Sequence, residues 1–329
     1  MARIVRFHHF GGPDVLKFEH MDPRPLAAEE VRIKVQAIGI NRADILMRSG
    51  TYIERPALPS GLGLEAAGIV EAVGCAVAQV RVGDMVSTIP PISMARWPAY
   101  GEVAIFPARH IVRHPPDIDF VTAAASWMQY LTAYGALIDI AGIRAGEPVL
   151  ITAASSSVGL AAIQIANAVG AVPIACTRSP AKRQALLEAG AHQVVECDDP
   201  MSAANLLKAG GDRGFRVVFD PVAGPAFTSI TAAMAPGGIL IEYGGLSSQP
   251  TPFPVGDVLT KMLTLRGYLV HEVVTDSTRL DRAKAYILDG LACGALKPLI
   301  AATFPFERIA DAHAFVELNQ HVGKVVVTV

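Results

Sequence analysis

From Glu147 onward the chain alternates short apolar runs with segments of helical spacing, and that rhythm leaves very few folds open to it. "EPVLITA" and "AVPIACT" read as buried strands, and "VGLAAIQIANAVG" as the helix between them. "SPAKRQALLEAGA" is a second helix, with Ser179 as predicted N-cap, Pro180 in its first turn and Gly190 at its stop. "HQVVEC", "RVVFDPV", "GILIEYGG" and "TLRGYLV" continue the strands. Strands separated by helices of this length form a parallel sheet covered on both faces, so the predicted class is α/β.

The first 115 or so residues have a different texture. "RIVRFHHF", "EVRIKVQAIGI", "AAGIVEAVG" and "DMVSTI" are short β-branched runs between Gly and Pro turns. "TAAASWMQYLTAYGALIDIAGI", from Thr122, is alanine-rich with helical spacing and ends at Gly142. The tail "FPFERIADAHAFVELNQHVGKVVVTV" reads as a helix and a strand that return to the first domain. The expected division is residues 1–122 with 300–329, and 123–299.

A length of 329 residues suits two domains. A net charge of −2 gives no footprint for nucleic acid or for an anionic membrane surface. The uncharged run Leu150 to Thr177 is broken by three serines, Gln164 and Pro173, which fits strand–helix–strand better than a membrane span. "MARIVRFHHFGG" lacks the apolar segment of a signal peptide. Cys75, Cys176, Cys197 and Cys293 are widely spaced, with no Cys-x-x-Cys pair. They argue against structural zinc or a disulfide scaffold, and read as packing thiols in a reducing cytoplasm.

The turn inside "VLITAASSSVGLAAIQIA" is the first candidate site. Where a dinucleotide fingerprint places glycines, this chain has Ala154, Ser156 and only then Gly159. Small side chains still let a diphosphate approach the helix N-terminus, and serine hydroxyls add donors. Ser156, Ser157, Val158 and Gly159 are therefore expected to hold phosphate. The next strand ends in Thr177-Arg178-Ser179, with Lys182 a turn later. An acidic residue there would suit NAD; a hydroxyl and two cations suit the 2′-phosphate of NADP.

"GINRADILMRSGTY", "PALPSGLGLEAAGIVEAVG", "VGD", "WMQYLTAYGAL", "GEPVLITAASSSVGLAAIQIA", "VFDPVAG" and "VGKVVV" together span nearly the whole chain. In them the sequence resembles the zinc-independent quinone oxidoreductases, the zeta-crystallin group of the medium-chain dehydrogenase/reductase superfamily. The family loop usually reads Ala-Gly-Gly-Val-Gly, against Ser155-Ser156-Ser157-Val158-Gly159 here. The resemblance implies a GroES-like catalytic domain, a Rossmann doubly wound domain, NADPH held in a cleft between them, and a homodimer joined through the Rossmann sheets.

Zinc-dependent relatives in that superfamily carry a Cys, a Gly-His-Glu and a second Cys. Matched motif by motif, this chain has Asn41, Leu64 and Met128 at those ligand positions. "SMARWPAYGEVAIF", where a structural zinc lobe would lie, has no cysteine. No metal is expected. Without a Lewis acid, hydride transfer favours acceptors that spread negative charge themselves, namely quinones, enones and enals.

The resemblance also marks individual residues. Asn41 is placed to bind the substrate oxygen or the nicotinamide ribose. Tyr52, in "RSGTY", is either a proton donor or a packing aromatic. Gln129 and Thr132, three apart on a helix, face the nicotinamide. Val222 lines the cofactor channel, Tyr243 and Gly244 follow a strand at the ligand-binding edge of the sheet, and Lys324 is either a phosphate contact or an exposed strand end. The expected activity is NADPH-dependent reduction of a quinone, enone or enal. The alternatives are a zinc-free alcohol or aldehyde reductase, and a non-catalytic, crystallin-like NADPH-binding protein.

Overall fold

Unbroken apolar runs become parallel strands because a strand buried on both faces needs no polar alternation. The computed structural model describes residues 1–115, 117–196 and 203–329. It divides into two compact units, Met1–Met128 with Pro298–Val329, and Gln129–Lys297.

The first unit contains β1 (Ala2–Arg6), β2 (Lys17–Met21), β3 (Glu30–Ile40), β4 (Glu65–Val73), β5 (Met85–Thr88), β6 (Val103–Pro107) and β7 (Ile111–Arg113). The second contains β8 (Pro148–Ile151), β9 (Val172–Thr177), β10 (Gln193–Glu196), β11 (Phe215–Asp220), β12 (Met234–Glu242) and β13 (Thr264–Gly267). The chain then returns to the first unit as β14 (Ile300–Pro305) and β15 (Lys324–Thr328).

In the second unit the sheet order is β10-β9-β8-β11-β12-β13, and every pairing is parallel. That is the doubly wound sheet read from the sequence. Helix Ser157–Val169 leaves the C-terminal end of β8 and closes on Gly170 in the left-handed conformation, at φ 79°. A side chain at Gly159 would lie 2.6 Å from the Ala154 backbone, so strand and helix can approach this closely only at glycine.

In the first unit β14-β15-β3-β4-β5-β7 form a sheet, with β6 paired to β3. β15 runs antiparallel to β3 with Val325 opposite Ile40. That register carries Lys324, the next residue out, to the position of Asn41. The tail thus closes the first unit's sheet, with Val325, Val326 and Val327 fully buried.

Three local readings change. The alanine-rich segment is not one helix: Phe120–Ala124 and Trp127–Tyr134 are α-helical, and Gly135–Ile140 is a π-helix. The break falls where the Met128 N–H donates to the Glu65 carboxylate, leaving the helical ladder. Ser179 precedes a short 3₁₀ turn, Pro180–Lys182, and its side chain makes no cap bond; the α-helix proper is Arg183–Glu188. Cys75 and Cys293 are free and exposed, but Cys176 is disulfide-bonded and not the packing thiol expected. Cys197 lies outside the described residues. Among the described residues no helix is long and apolar enough to cross a membrane.

Candidate active site

β3 delivers Asn41 to the N-terminus of helix Arg42–Ser49, where a backbone N–H must find an acceptor. Asp44 supplies it, taking the Asn41 N–H at 2.8 Å. The Asn41 side chain turns elsewhere. Its Nδ2 donates to Gly39 O and to Glu65 Oε1, both at 3.1 Å. Its Oδ1 accepts from Lys324 Nζ at 2.6 Å, and the same ammonium donates to Glu65 Oε1. Lysine only donates, so this contact fixes which end of the amide is oxygen. Both amide protons are used, and one lone pair on Oδ1 remains. Asn41 can accept a hydrogen bond from a ligand hydroxyl, but it has no proton left for a substrate carbonyl.

Lys324 and Glu65 each have side chains 1% exposed. Lys324 is therefore neither an exposed strand end nor free to meet a phosphate. This corrects the role expected of it from the sequence, and the cause is the β15–β3 register. Glu65 completes its coordination with the Met128 N–H at 2.9 Å.

A buried polar chain lies behind Asn41. Tyr100 Oη donates to Asp44 Oδ2 at 2.9 Å and stands 3.0 Å from His313 Nε2. Burial pushes the Asp44 carboxyl up to about 7 and pulls the His313 imidazole down to about 3. Tyr52 follows the same helix, half-buried, its backbone N–H on Leu46 O. Burial, with Asp44 and Glu54 nearby, holds its phenol up at about 12, so it keeps its proton throughout the neutral range. Glu54 ties this loop to the segment at 93–94, accepting from Ser93 Oγ and from the Met94 N–H.

In the second unit Ser156 caps its helix, its side chain accepting the Gly159 N–H at 3.0 Å. Ser157 and Val158 open that helix. Lys182 Nζ donates to Ser155 Oγ at 3.2 Å, bringing a cation from the far side of β9 onto the loop. Burial and the neighbouring Arg178 lower its affinity for its proton, as expected of two cations gathered in one place. Thr177 is buried at the strand end and Arg178 is exposed. Tyr243 stacks on Phe219, ring centres 4.0 Å apart, and its hydroxyl is buried beside Ser156. Val222 and Gly244 lie in the turns that follow β11 and β12. Gln129 is buried and its side-chain oxygen has no partner among the described residues, while Thr132 is buried on the same helix.

Loop, helix terminus and the two cations gather at the C-terminal edge of this parallel sheet, where such sheets bind nucleotides. The alcohol dehydrogenase GroES-like domain model matches residues 27–116, and the zinc-binding dehydrogenase model matches residues 157–282. The quinone oxidoreductase of Lama guanicoe is 33% identical over 314 residues, 95% of this chain and 93% of that protein. The chain belongs to the quinone oxidoreductases of the medium-chain dehydrogenase/reductase superfamily.

Solved structures agree with that family. Escherichia coli quinone oxidoreductase, crystallised with NADPH, matches with a TM-score of 0.90 and 31% identity, covering 100% of both chains. The CurK enoyl reductase matches with a TM-score of 0.87 and 26% identity, covering 99% of both. This quinone oxidoreductase family member is thus an oxidoreductase with a Rossmann unit and a GroES-like unit.

Sequence reasoning missed the Asp44–Tyr100–His313 chain and Glu54, whose residues come from separate segments with no motif of their own.

Proposed function

We propose that this protein transfers hydride from NADPH to quinones and to carbon–carbon double bonds conjugated with a carbonyl, without a metal ion. The observation that carries the reading is the chemistry at the three zinc-ligand positions. Leu64 has no donor atom, Met128 has a thioether, and Asn41 already holds the Lys324 ammonium. Such a set does not suit zinc, and a cation already occupies its one oxygen donor. A site without a Lewis acid polarises a simple ketone poorly, so the favoured acceptor is one that delocalises the incoming charge itself.

Bound NADPH supplies the hydride. The N–H groups of Ser157 and Val158 meet a diphosphate at the helix N-terminus, while Ser156 and Gly159 shape the loop through the bond between them. Arg178, Lys182 and Thr177 recognise the 2′-phosphate, which favours NADPH over NADH. The spare lone pair of Asn41 accepts a ribose hydroxyl. Lys324 serves the site indirectly, by fixing the Asn41 amide. Gln129 and Thr132 present polar groups to the nicotinamide end, and Val222, Tyr243 and Gly244 line the rest. Tyr52, protonated, donates to the acceptor oxygen as negative charge develops there. The likeness of the whole chain to an enoyl reductase supports including conjugated alkenes among the acceptors.

A homodimer is supported by the edge of the second unit's sheet. β13 is its last strand. The adjoining segment exposes Phe253 at 67%, Leu259 at 72% and Met262 at 74%, apolar surface that a second copy would cover.

Binding titrations and steady-state assays test the reading together. NADPH should bind more tightly than NADH and be consumed with a naphthoquinone or a small enone, and a simple alcohol should not be oxidised. Turnover of neither acceptor class would contradict it.

A further inference from the structure

Asp220 and Glu242 end adjacent strands, β11 and β12, and the parallel register pairs them directly. Residues paired in this way project from the same face of a sheet. Asp220 is fully buried and held by donors that leave its Oδ2 room for one more. Its Oδ1 accepts from Thr152 Oγ1 and from the Val222 N–H at 3.0 Å, and its Oδ2 accepts the Ala223 N–H at 2.9 Å. Those two backbone bonds shape a tight turn in which Ala223 has φ 58° and Gly224 φ 73°.

Glu242 is in the opposite condition. Both its oxygens are buried and, among the described residues, neither makes a hydrogen bond of ordinary geometry. The carboxylate of Asp220 stands beside it, and the Gly244 N–H is the donor that faces it. Tyr243, the residue that follows this strand, is a neutral phenol held well above its usual range by burial. On β13 the nearest charge is Arg266, engaged with Glu272 at 2.7 Å. On helix Val255–Lys261, Asp257 bonds Thr231 and Lys261 bonds Thr231 and Ala232, just before the opposite end of β12. Two buried carboxyls side by side, with no cation facing them among the described residues, cannot both ionise. Burial first, then Asp220, pushes the Glu242 carboxyl up to about 9.

We propose that Asp220 and Glu242 share one proton, with Glu242 the donor, and that this bond holds the Val222–Gly224 turn in shape for the cofactor. Glu242 is then a positioning residue. It touches no ligand and acts through Asp220. The proposal rests on the NADPH reading for its function, because Val222 belongs to that site. When Glu242 loses its proton, two like charges oppose each other beneath the turn, Asp220 shifts, and the Val222 and Ala223 N–H groups lose their anchor.

Fluorescence titration of the full chain with NADPH, from neutral pH into the alkaline range, tests it. Wild-type affinity should be level near neutrality and fall about tenfold per pH unit above about pH 9. Glu242→Gln keeps a permanent donor and should bind as wild type does at neutral pH, without that fall. Loss of the Lys182 proton weakens both proteins equally, so the difference between them isolates Glu242. Infrared spectra of protein carrying ¹³C-labelled glutamate give a readout independent of any variant. A protonated carboxyl band should be present at neutral pH and vanish in alkali. Absence of that band at neutral pH, or the same fall in both proteins, overturns the proposal. Failure of wild type to bind NADPH at any pH overturns the cofactor reading instead, and the infrared band still decides the shared proton.

Discussion

The Lys324 ammonium donates to Asn41 Oδ1 at 2.6 Å, joining residues 283 positions apart in the chain. The same ammonium neutralises Glu65, so one cation anchors both the acid and the amide of the first unit's candidate site. Removing it leaves a buried carboxylate without a partner. Lys324→Met should cost about 3–5 kcal/mol in denaturant unfolding. Adding Glu65→Gln to it should recover most of that loss, and a double variant no more stable than the single one would contradict the pairing.

Arg178 and Lys182 answer for coenzyme choice. Replacing both with alanine should raise KM for NADPH by about ten- to a hundredfold, each lost charge-assisted bond being worth about 1.5–3 kcal/mol, discounted for exposure. KM for NADH should scarcely move. Parallel assays with the two coenzymes check this, and equal losses on both would remove the 2′-phosphate from the explanation.

Much of the fold is legible in the sequence alone. The parallel sheet follows from apolar runs with helical spacers, whereas the capping bond of Ser156, read in sequence as a phosphate contact, emerges only in the structure. The return of the tail as a strand of the first unit is readable from "GKVVVTV". What that strand does with its first residue is not. Lys324 reads in sequence as a phosphate contact or an exposed strand end, and only the register of β15 on β3 shows that it is buried on Glu65. The Asp44–Tyr100–His313 chain is hidden for the same reason: its members come from three distant segments, none with a motif of its own. The helix break near Met128 depends on a bond to Glu65, 63 residues away, which helical periodicity cannot register.

Tyr52 carries a proton whose loss is pushed up to about 12. Tyr52→Phe should lower kcat for enones by about a hundredfold or more, the usual scale of a positioned acid. The wild-type rate should show no alkaline decline from this phenol below about pH 12. A phenylalanine variant with undiminished kcat would make Tyr52 a packing residue.

Asp44 sets a pH dependence of stability. Its folded carboxyl titrates at about 7, above the ordinary 3.8, because burial disfavours the anion. The stability tied to its protonated form is complete below about 3.8 and is lost as pH rises through about 7. Asp44→Asn has no such proton to lose. Relative to the variant, wild type should therefore weaken between about pH 5 and about pH 8. Denaturation midpoints at those two values check it, and a constant difference would show that Asp44 does not titrate there.

Steady-state oxidation of NADPH by a naphthoquinone, run with a strong metal chelator present, goes most directly to how the hydride is transferred. The chemistry at Asn41, Leu64 and Met128 predicts saturable turnover that the chelator leaves unchanged. Turnover abolished by the chelator and restored by zinc would contradict it.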